Sequence, residues 1–333
     1  MRIFNHEPHK HHEPVPYNFS VVRVGSCLFV VGILIFIFAG TVVFAQTGQN
    51  NFAVIPENPR PGEPVTIGVK AGAGAVSAAL VVDGRRLSKA AFFQVPADNE
   101  NRHFAASVFT VPTSAKPGPA VIVVEGTGGV LGEIAIEISE REFLSETVEL
   151  NAALTGLRTE PDPQKTAESG HLWSILNKTG KTVYNTGSFS PPVDSTRRTS
   201  YFGTRRVYKY SNGRTDVSIH AGIDYGVPTG TRVVSCGAGR VVLARPRIVT
   251  GNSVVVEHLP GVYSLYYHLD KIEVNEGVRV KKGTLLGLSG ATGLATGPHL
   301  HWEIRVLGEN TDPDAFISRA VIDKNAIFSI INR

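Results

Sequence analysis

Gly297-Pro298-His299-Leu300-His301-Trp302-Glu303 sets two histidines one residue apart, just after a Gly-Pro turn signal. In an extended strand successive side chains alternate faces. His299 and His301 therefore project to one side, and Leu300 and Trp302 to an opposite, apolar side. Upstream, His220-Ala221-Gly222-Ile223-Asp224 follows the same rule. Gly222 argues against a helix there, and an extended backbone puts His220 and Asp224 on one face. A third stretch, Tyr266-Tyr267-His268-Leu269, adds a histidine after a Tyr-rich strand. Imidazoles and a carboxylate meeting with one position left open form the donor set of a catalytic zinc site. A structural site is normally closed by four protein ligands, often cysteines.

Around these motifs, residues 198–319 read as Gly-rich β structure, with strands at Arg232-Val233-Val234, Gly239 to Leu243, Ser253 to Val256 and Ser264 to Tyr267. The whole chain favours short strands: 333 residues with 34 Gly and 20 Pro, 42% hydrophobic and 19% charged, are enough for two modest domains. The expected fold class is mainly β. Residues 50–140 alternate runs such as Val65-Thr66-Ile67-Gly68-Val69 with turn signals such as Asp83-Gly84, about seven strands of an immunoglobulin-like β-sandwich. That region has no His or acid cluster and reads as a spacer or binding module. Residues 141–197 read as a connector with a short helix over Gln164 to Asn177, and 320–333 as a C-terminal tail.

The net charge of +4 is scattered among acids without a basic stripe, so nucleic acid is not an expected partner. The two cysteines, Cys27 in an apolar run and Cys236 far downstream, are not placed to form a disulfide. From Val24 to Ala45 there is no charge, and at ~1.5 Å per helical residue the stretch reaches ~33 Å, enough to cross a bilayer core. Arg2, Lys10 and Arg23 precede it and the next basic residue is Arg60, which places residues 1–23 in the cytoplasm. Residues 24–45 read as a signal anchor, or as a signal peptide cut after Val43-Phe44-Ala45. Either way the rest is delivered outside the cytoplasmic membrane. His6, His9, His11 and His12 read as a solvated tail.

Ser200-Tyr201-Phe202-Gly203, His220 to Tyr225, Gly239-Arg240-Val241-Val242, Tyr267-His268-Leu269 and Thr292 to His301 together resemble the lysostaphin-type (LytM-like, duplicated hybrid motif, peptidase M23) zinc peptidases of bacterial cell walls, over about residues 198–315. The resemblance implies one Zn2+ held by His220, Asp224 and His301, with His268 and His299 as an unliganded catalytic pair. It further implies a barrel-like antiparallel metallopeptidase domain that hydrolyses peptide cross-links or stem peptides of peptidoglycan. Its partners would be peptidoglycan, the cytoplasmic membrane through residues 24–45, and envelope protein regulators. Relatives of this fold also include non-catalytic wall-binding or amidase-activating modules, but those usually lack one or more of the five residues kept here. Two departures stand out. Glu257-His258-Leu259-Pro260-Gly261 replaces an Asp-His-Gly turn, and Cys236, read as a buried inert thiol, replaces a small residue.

Overall fold

A computed structural model describes residues 51–97 and 101–332. The stretch 24–45 and the histidines at 6 to 12 lie outside the described residues; among those described, no helix is long and apolar enough to cross a membrane.

The first half contains β1 (Phe52–Ile55), β2 (Pro64–Lys70), β3 (Ala75–Val82), β4 (Arg85–Ala91), β5 (Phe93–Val95), β6 (Phe104–Thr110), β7 (Gly118–Gly126) and β8 (Gly129–Ile138). They form two antiparallel sheets, ordered β1-β2-β6-β5 and β4-β3-β7-β8. Val65, Ile67 and Val69 of one sheet and Leu80, Ile122 and Val124 of the other share a core, as the period-two alternation requires. Asp83 and Gly84 both have positive φ, at 48° and 72°, the turn that a two-residue hairpin between right-twisted strands demands. Among the described residues the strands number eight; the three residues of β5 are too few for alternation to reveal.

Residues 141–197 hold more than one short helix. They contribute β9 (Ser145–Glu149), α1 (Ala152–Thr159) and α2 (Pro163–Leu176). The carboxylate of Asp162 caps α2 by accepting from the backbone N–H groups of Gln164 and Lys165, with Pro163 in the first turn. Strand β9 escapes a sequence reading because Val148 is its one apolar side chain. It is held by parallel pairing to the segment Arg205–Lys209.

The remainder contains β10 (Arg198–Ser200), β11 (Arg205–Lys209), β12 (Thr215–Ile219), β13 (Gly222–Tyr225), β14 (Arg232–Val234), β15 (Gly239–Arg247), β16 (Gly251–Leu259), β17 (Val262–Ile272), β18 (Arg279–Val280), β19 (Leu285–Ser289), β20 (Leu300–Val306), β21 (Glu309–Thr311), α3 (Pro313–Ser318) and α4 (Lys324–Ile331). The large sheet runs β10-β13-β20-β17-β16-β15-β18, with β14, β19 and β21 attached, and a smaller sheet runs β12-β11-β9. Central strand β20 sends Leu300, Trp302, Ile304 and Val306 into the main apolar core. By the same alternation His301, Glu303 and Arg305 emerge on its other face, where Ile175 and Leu176 of α2 also pack, against Leu243, Val255 and Tyr263.

The last residues are no tail: Ile327, Phe328 and Ile331 form one buried face of α4. The core they join includes Ala53, Phe104 and Ala106 of the sandwich as well as Ile223 and Trp302 of the large sheet. Buried polar contacts cross the same boundary, with Thr66 Oγ1 donating to the Val321 carbonyl and the hydroxyls of Thr110 and Thr311 2.6 Å apart. The sandwich is therefore packed into the rest of the fold and is not a detached spacer.

Gly222 lets β13 approach β20: a Cβ there would lie 2.1 Å from the Trp302 carbonyl oxygen. Gly222→Ala is expected to lower the denaturation midpoint by the equivalent of about 1–3 kcal/mol. Gly170 lies in mid α2, and a Cβ added to it would meet no atom within 4 Å, so it should respond oppositely. Gly170→Ala is expected to raise stability by roughly 0.5–1 kcal/mol, read from the same denaturation midpoint.

Candidate metal centre

The register of the sheet assembles the site. Asp224 on β13 lies directly across from His301 on β20, and His301 directly across from Tyr267 on β17. His220, just ahead of β13, is fixed by its backbone N–H to Thr204 O. The result joins residues far apart in the chain: His220 Nε2 is 3.1 Å from Asp224 Oδ1 and 3.0 Å from His301 Nδ1, and His301 Nδ1 is 2.7 Å from Asp224 Oδ1. All three residues are buried.

The outward hydrogen bonds fix which ring atoms face inward. His220 Nδ1 donates to the Tyr201 carbonyl at 2.8 Å, and His301 Nε2 donates to Glu303 Oε1 at 2.8 Å. Carbonyls and carboxylates only accept, so in the neutral form of each ring the remaining nitrogen carries the lone pair. Two imidazole nitrogens and a carboxylate oxygen thus point at one another, a set that takes up a proton or a metal ion among them. Tetrahedral ligands about 2.0–2.2 Å from zinc lie roughly 3.3–3.6 Å apart, so one ion fits after the donors part by about half an ångström. Burial disfavours a charged His301, but Asp224 and then Glu303 outweigh it and raise its pKa to about 9. Burial likewise opposes ionisation of Asp224, yet His301 and His220 hold its carboxyl well below the usual range.

His268 and His299 stand beside this trio. His299 Nδ1 donates to Gly297 O at 2.8 Å and its Nε2 lies 3.8 Å from Asp224 Oδ1. His268 Nδ1 donates to Thr292 O at 2.7 Å, and its ring centre is 4.7 Å from that of His299. Burial pushes both pKa values down, to about 3 for His268, where the neighbouring His299 and His301 add to the effect. At neutral pH both rings are therefore neutral, each with an unprotonated Nε2.

Strict alternation would send His268 to the core, opposite Tyr267. A bulge prevents that: residues 266–269 of β17 pair with 252–254 of β16, and the extra residue, His268, has φ 61°. This left-handed conformation is uncommon outside glycine, and it turns the ring to the same side as His301.

Several residues of the site were not singled out in the sequence. Glu303 accepts from His301 and from Arg305 Nε at 2.7 Å, while Tyr267 stacks on His301 with ring planes 4° apart. Alternation past His301 pointed at Glu303 and Arg305. Arg206 Nη2 donates to Asp224 Oδ2 at 2.5 Å and its Nε donates to Glu146, neither signalled by any motif. Cys236 is fully buried on the core side, its thiol pushed up to about 12 by burial, in keeping with an inert role.

Two cavities meet at the cluster. One of about 90 Å³ is bounded by Val148, Arg206, Tyr208, His268, His299 and His301. The other, about 410 Å³, runs along Glu146 to Glu149, Arg206 and Thr296 to His299, and also reaches Asp224.

Residues 218–313 match peptidase family M23. The chain is 43% identical over 118 residues to peptidoglycan DD-endopeptidase ShyA of Vibrio cholerae, covering 35% of this chain and 27% of that one. It is 42% identical over 148 residues to ShyB of the same organism, covering 44% and 33%. With the DD-carboxypeptidase/endopeptidase Mpg of Neisseria meningitidis it shares 37% identity over 135 residues, covering 40% and 30%. The matches span about a third of the length of these relatives or less. A crystal structure of a Pseudomonas aeruginosa protein assigned to peptidase M23 superposes with a TM-score of 0.55 at 26% identity, covering 78% of this chain and 94% of that one. That likeness extends well beyond the family-matched residues. The segment bearing His220, Asp224, His268, His299 and His301 is therefore a peptidase family M23 domain.

Proposed function

We propose that the chain is a zinc-dependent endopeptidase that hydrolyses peptide cross-links or stem peptides of bacterial peptidoglycan. The observation that carries this reading is the convergence of three buried side chains able to ligate a metal, His220, Asp224 and His301, beside the imidazoles of His268 and His299. The relatives named as peptidoglycan DD-endopeptidases support the choice of substrate.

In this reading His220 Nε2, Asp224 Oδ1 and His301 Nδ1 would hold the ion, which would supply Lewis acidity to activate water near neutral pH and to polarise an amide carbonyl. Tyr201 O and Glu303 keep the two ligand rings in the required tautomer and orientation. His299 and His268 move the protons. Their Nε2 atoms are unprotonated at neutral pH, so the pair can take a proton from the attacking water and return one to the departing amine. Their fixed Nδ1 donations to Gly297 O and Thr292 O keep both rings aimed during that exchange.

Residues 24–45 would anchor the protein in the cytoplasmic membrane and set the peptidase domain in the extracytoplasmic envelope, where peptidoglycan lies. The length of that uncharged run and the basic residues ahead of it support this placement. The immunoglobulin-like sandwich would act as a packed support for the peptidase domain.

Two variants separate the roles. His301→Ala is expected to lose zinc and wall cleavage together. His299→Ala should keep zinc near one equivalent by metal analysis while turnover falls by about 10²–10⁴-fold. Equal zinc content and equal cleavage in both variants and the parent would defeat the assignment. Chelation should abolish release of new amines from purified peptidoglycan and zinc should restore it. Mass spectrometry of muropeptides before and after digestion would identify the bond; intact muropeptides after exposure to the zinc-loaded protein would sink the proposed activity.

A further inference from the structure

Beyond the five motif residues, a closed ring of hydrogen bonds links the cluster to the segment ahead of the peptidase domain. Asp224 Oδ1 faces the two imidazoles, and its other oxygen, Oδ2, accepts from Arg206 Nη2 at 2.5 Å. Arg206 Nε donates in turn to Glu146 Oε1. The same Glu146 oxygen accepts from Ser200 Oγ at 2.9 Å, and Ser200 Oγ lies 3.1 Å from His220 Nδ1. The path thus returns through His220 to Asp224. Arg206 and Glu146 both precede residues 218–313, and Glu146 belongs to β9.

We infer that Arg206 and Glu146 are positioning residues for the metal ligands Asp224 and His220, so that strand β9 is part of the apparatus that holds the ion. This inference rests on the zinc reading above. A guanidinium presents its N–H groups in a rigid fork, so Arg206 can grip two carboxylates at a fixed angle where lysine could not. By occupying Oδ2 it leaves Asp224 a single oxygen directed at the imidazoles. Glu146 balances the buried charge of Arg206, whose side chain is 15% exposed. Charge alone predicts the opposite influence: a cation next to a ligand carboxylate repels a metal ion and weakens the carboxylate as a donor. The two roles therefore differ in the sign of their effect.

The test uses the full chain with Arg206→Lys and Glu146→Gln. Zinc affinity would be measured by competition with a chromogenic chelator, and the ligand field by the visible d–d bands of the cobalt-loaded protein. Arg206→Lys keeps the charge and loses the fork. Glu146→Gln removes the anchor at a partly exposed edge strand and decides the matter if the first variant does not fold. The expected result is zinc binding weaker by about 10–100-fold with altered cobalt bands. Affinity equal to or tighter than that of the parent, with unchanged bands, would overturn the inference. Parallel measurement of Asp224→Ala keeps the two readings apart. If the parent binds no zinc, or Asp224→Ala binds as well as the parent, the metal assignment itself falls. If the parent binds through Asp224 and the Arg206 and Glu146 variants match it, only the positioning role falls.

Discussion

Two imidazole nitrogens and a carboxylate oxygen buried within about 3 Å of one another are the constraint around which the rest of the site is arranged. Unpaired lone pairs in a low-dielectric interior are costly, and a carboxylate among them more so. The protein answers with acceptors placed behind each imidazole and a guanidinium behind the carboxylate. The Tyr201 carbonyl takes the outer N–H of His220, Glu303 takes that of His301, Arg305 sits behind Glu303, and Arg206 sits behind Asp224. Burial resists ionisation of Glu303, but Arg305 and His301 overcome it and hold its carboxyl well below the usual range. Charges alternate outward from the centre, so each buried ion has an opposite neighbour.

That electrostatic arrangement depends on a stiff support. Asp224, His301 and Tyr267 form a cross-strand row on three adjacent strands, so their spacing is set by sheet geometry and not by loops. The opposite faces of the same strands deliver Ile223, Trp302 and Tyr266 to a core that is closed to solvent. A one-residue slip of β13 against β20 would exchange core and site residues together, which ties the placement of the ligands to the burial of Trp302. Because α4 and the sandwich complete that core, the sandwich packs behind the sheet that carries the cluster.

Period-two alternation made most of the site legible: His220 with Asp224, and His299 with His301, were placed on common faces by pattern alone. The choice of His301 over His299 as ligand came from family resemblance, since alternation treats the two alike. Glu303 and Arg305 were readable in principle as the next two residues on that face. His268 was not, because a bulge with left-handed backbone breaks the rule that would have sent it to the core. Arg206 and Glu146 were invisible for a different reason. Strand β9 has one apolar residue and pairs in parallel with β11 across a long separation, and no local pattern encodes such a contact. In α4, the close apolar set Ile327, Phe328 and Ile331 was present but too short to distinguish from a tail.

The strained residue shows how function and stability divide here. A non-glycine residue in the left-handed region costs on the order of 1–3 kcal/mol, yet His268 is held by two hydrogen bonds, from its backbone N–H to Thr250 O at 2.9 Å and from its ring to Thr292 O at 2.7 Å. The surrounding strands β16, β17 and β20 are almost wholly buried, so the local cost is carried by an extensive core. What the strain achieves is spatial: it brings a second imidazole alongside His299 without lengthening either strand. Next to the cluster the free space is about 90 Å³, room for roughly three waters at ~30 Å³ each. The adjoining cleft of about 410 Å³ is of ligand-binding size. That cleft is bordered by Glu146, Arg206 and His299, so it opens onto the cluster past the guanidinium that donates to Asp224.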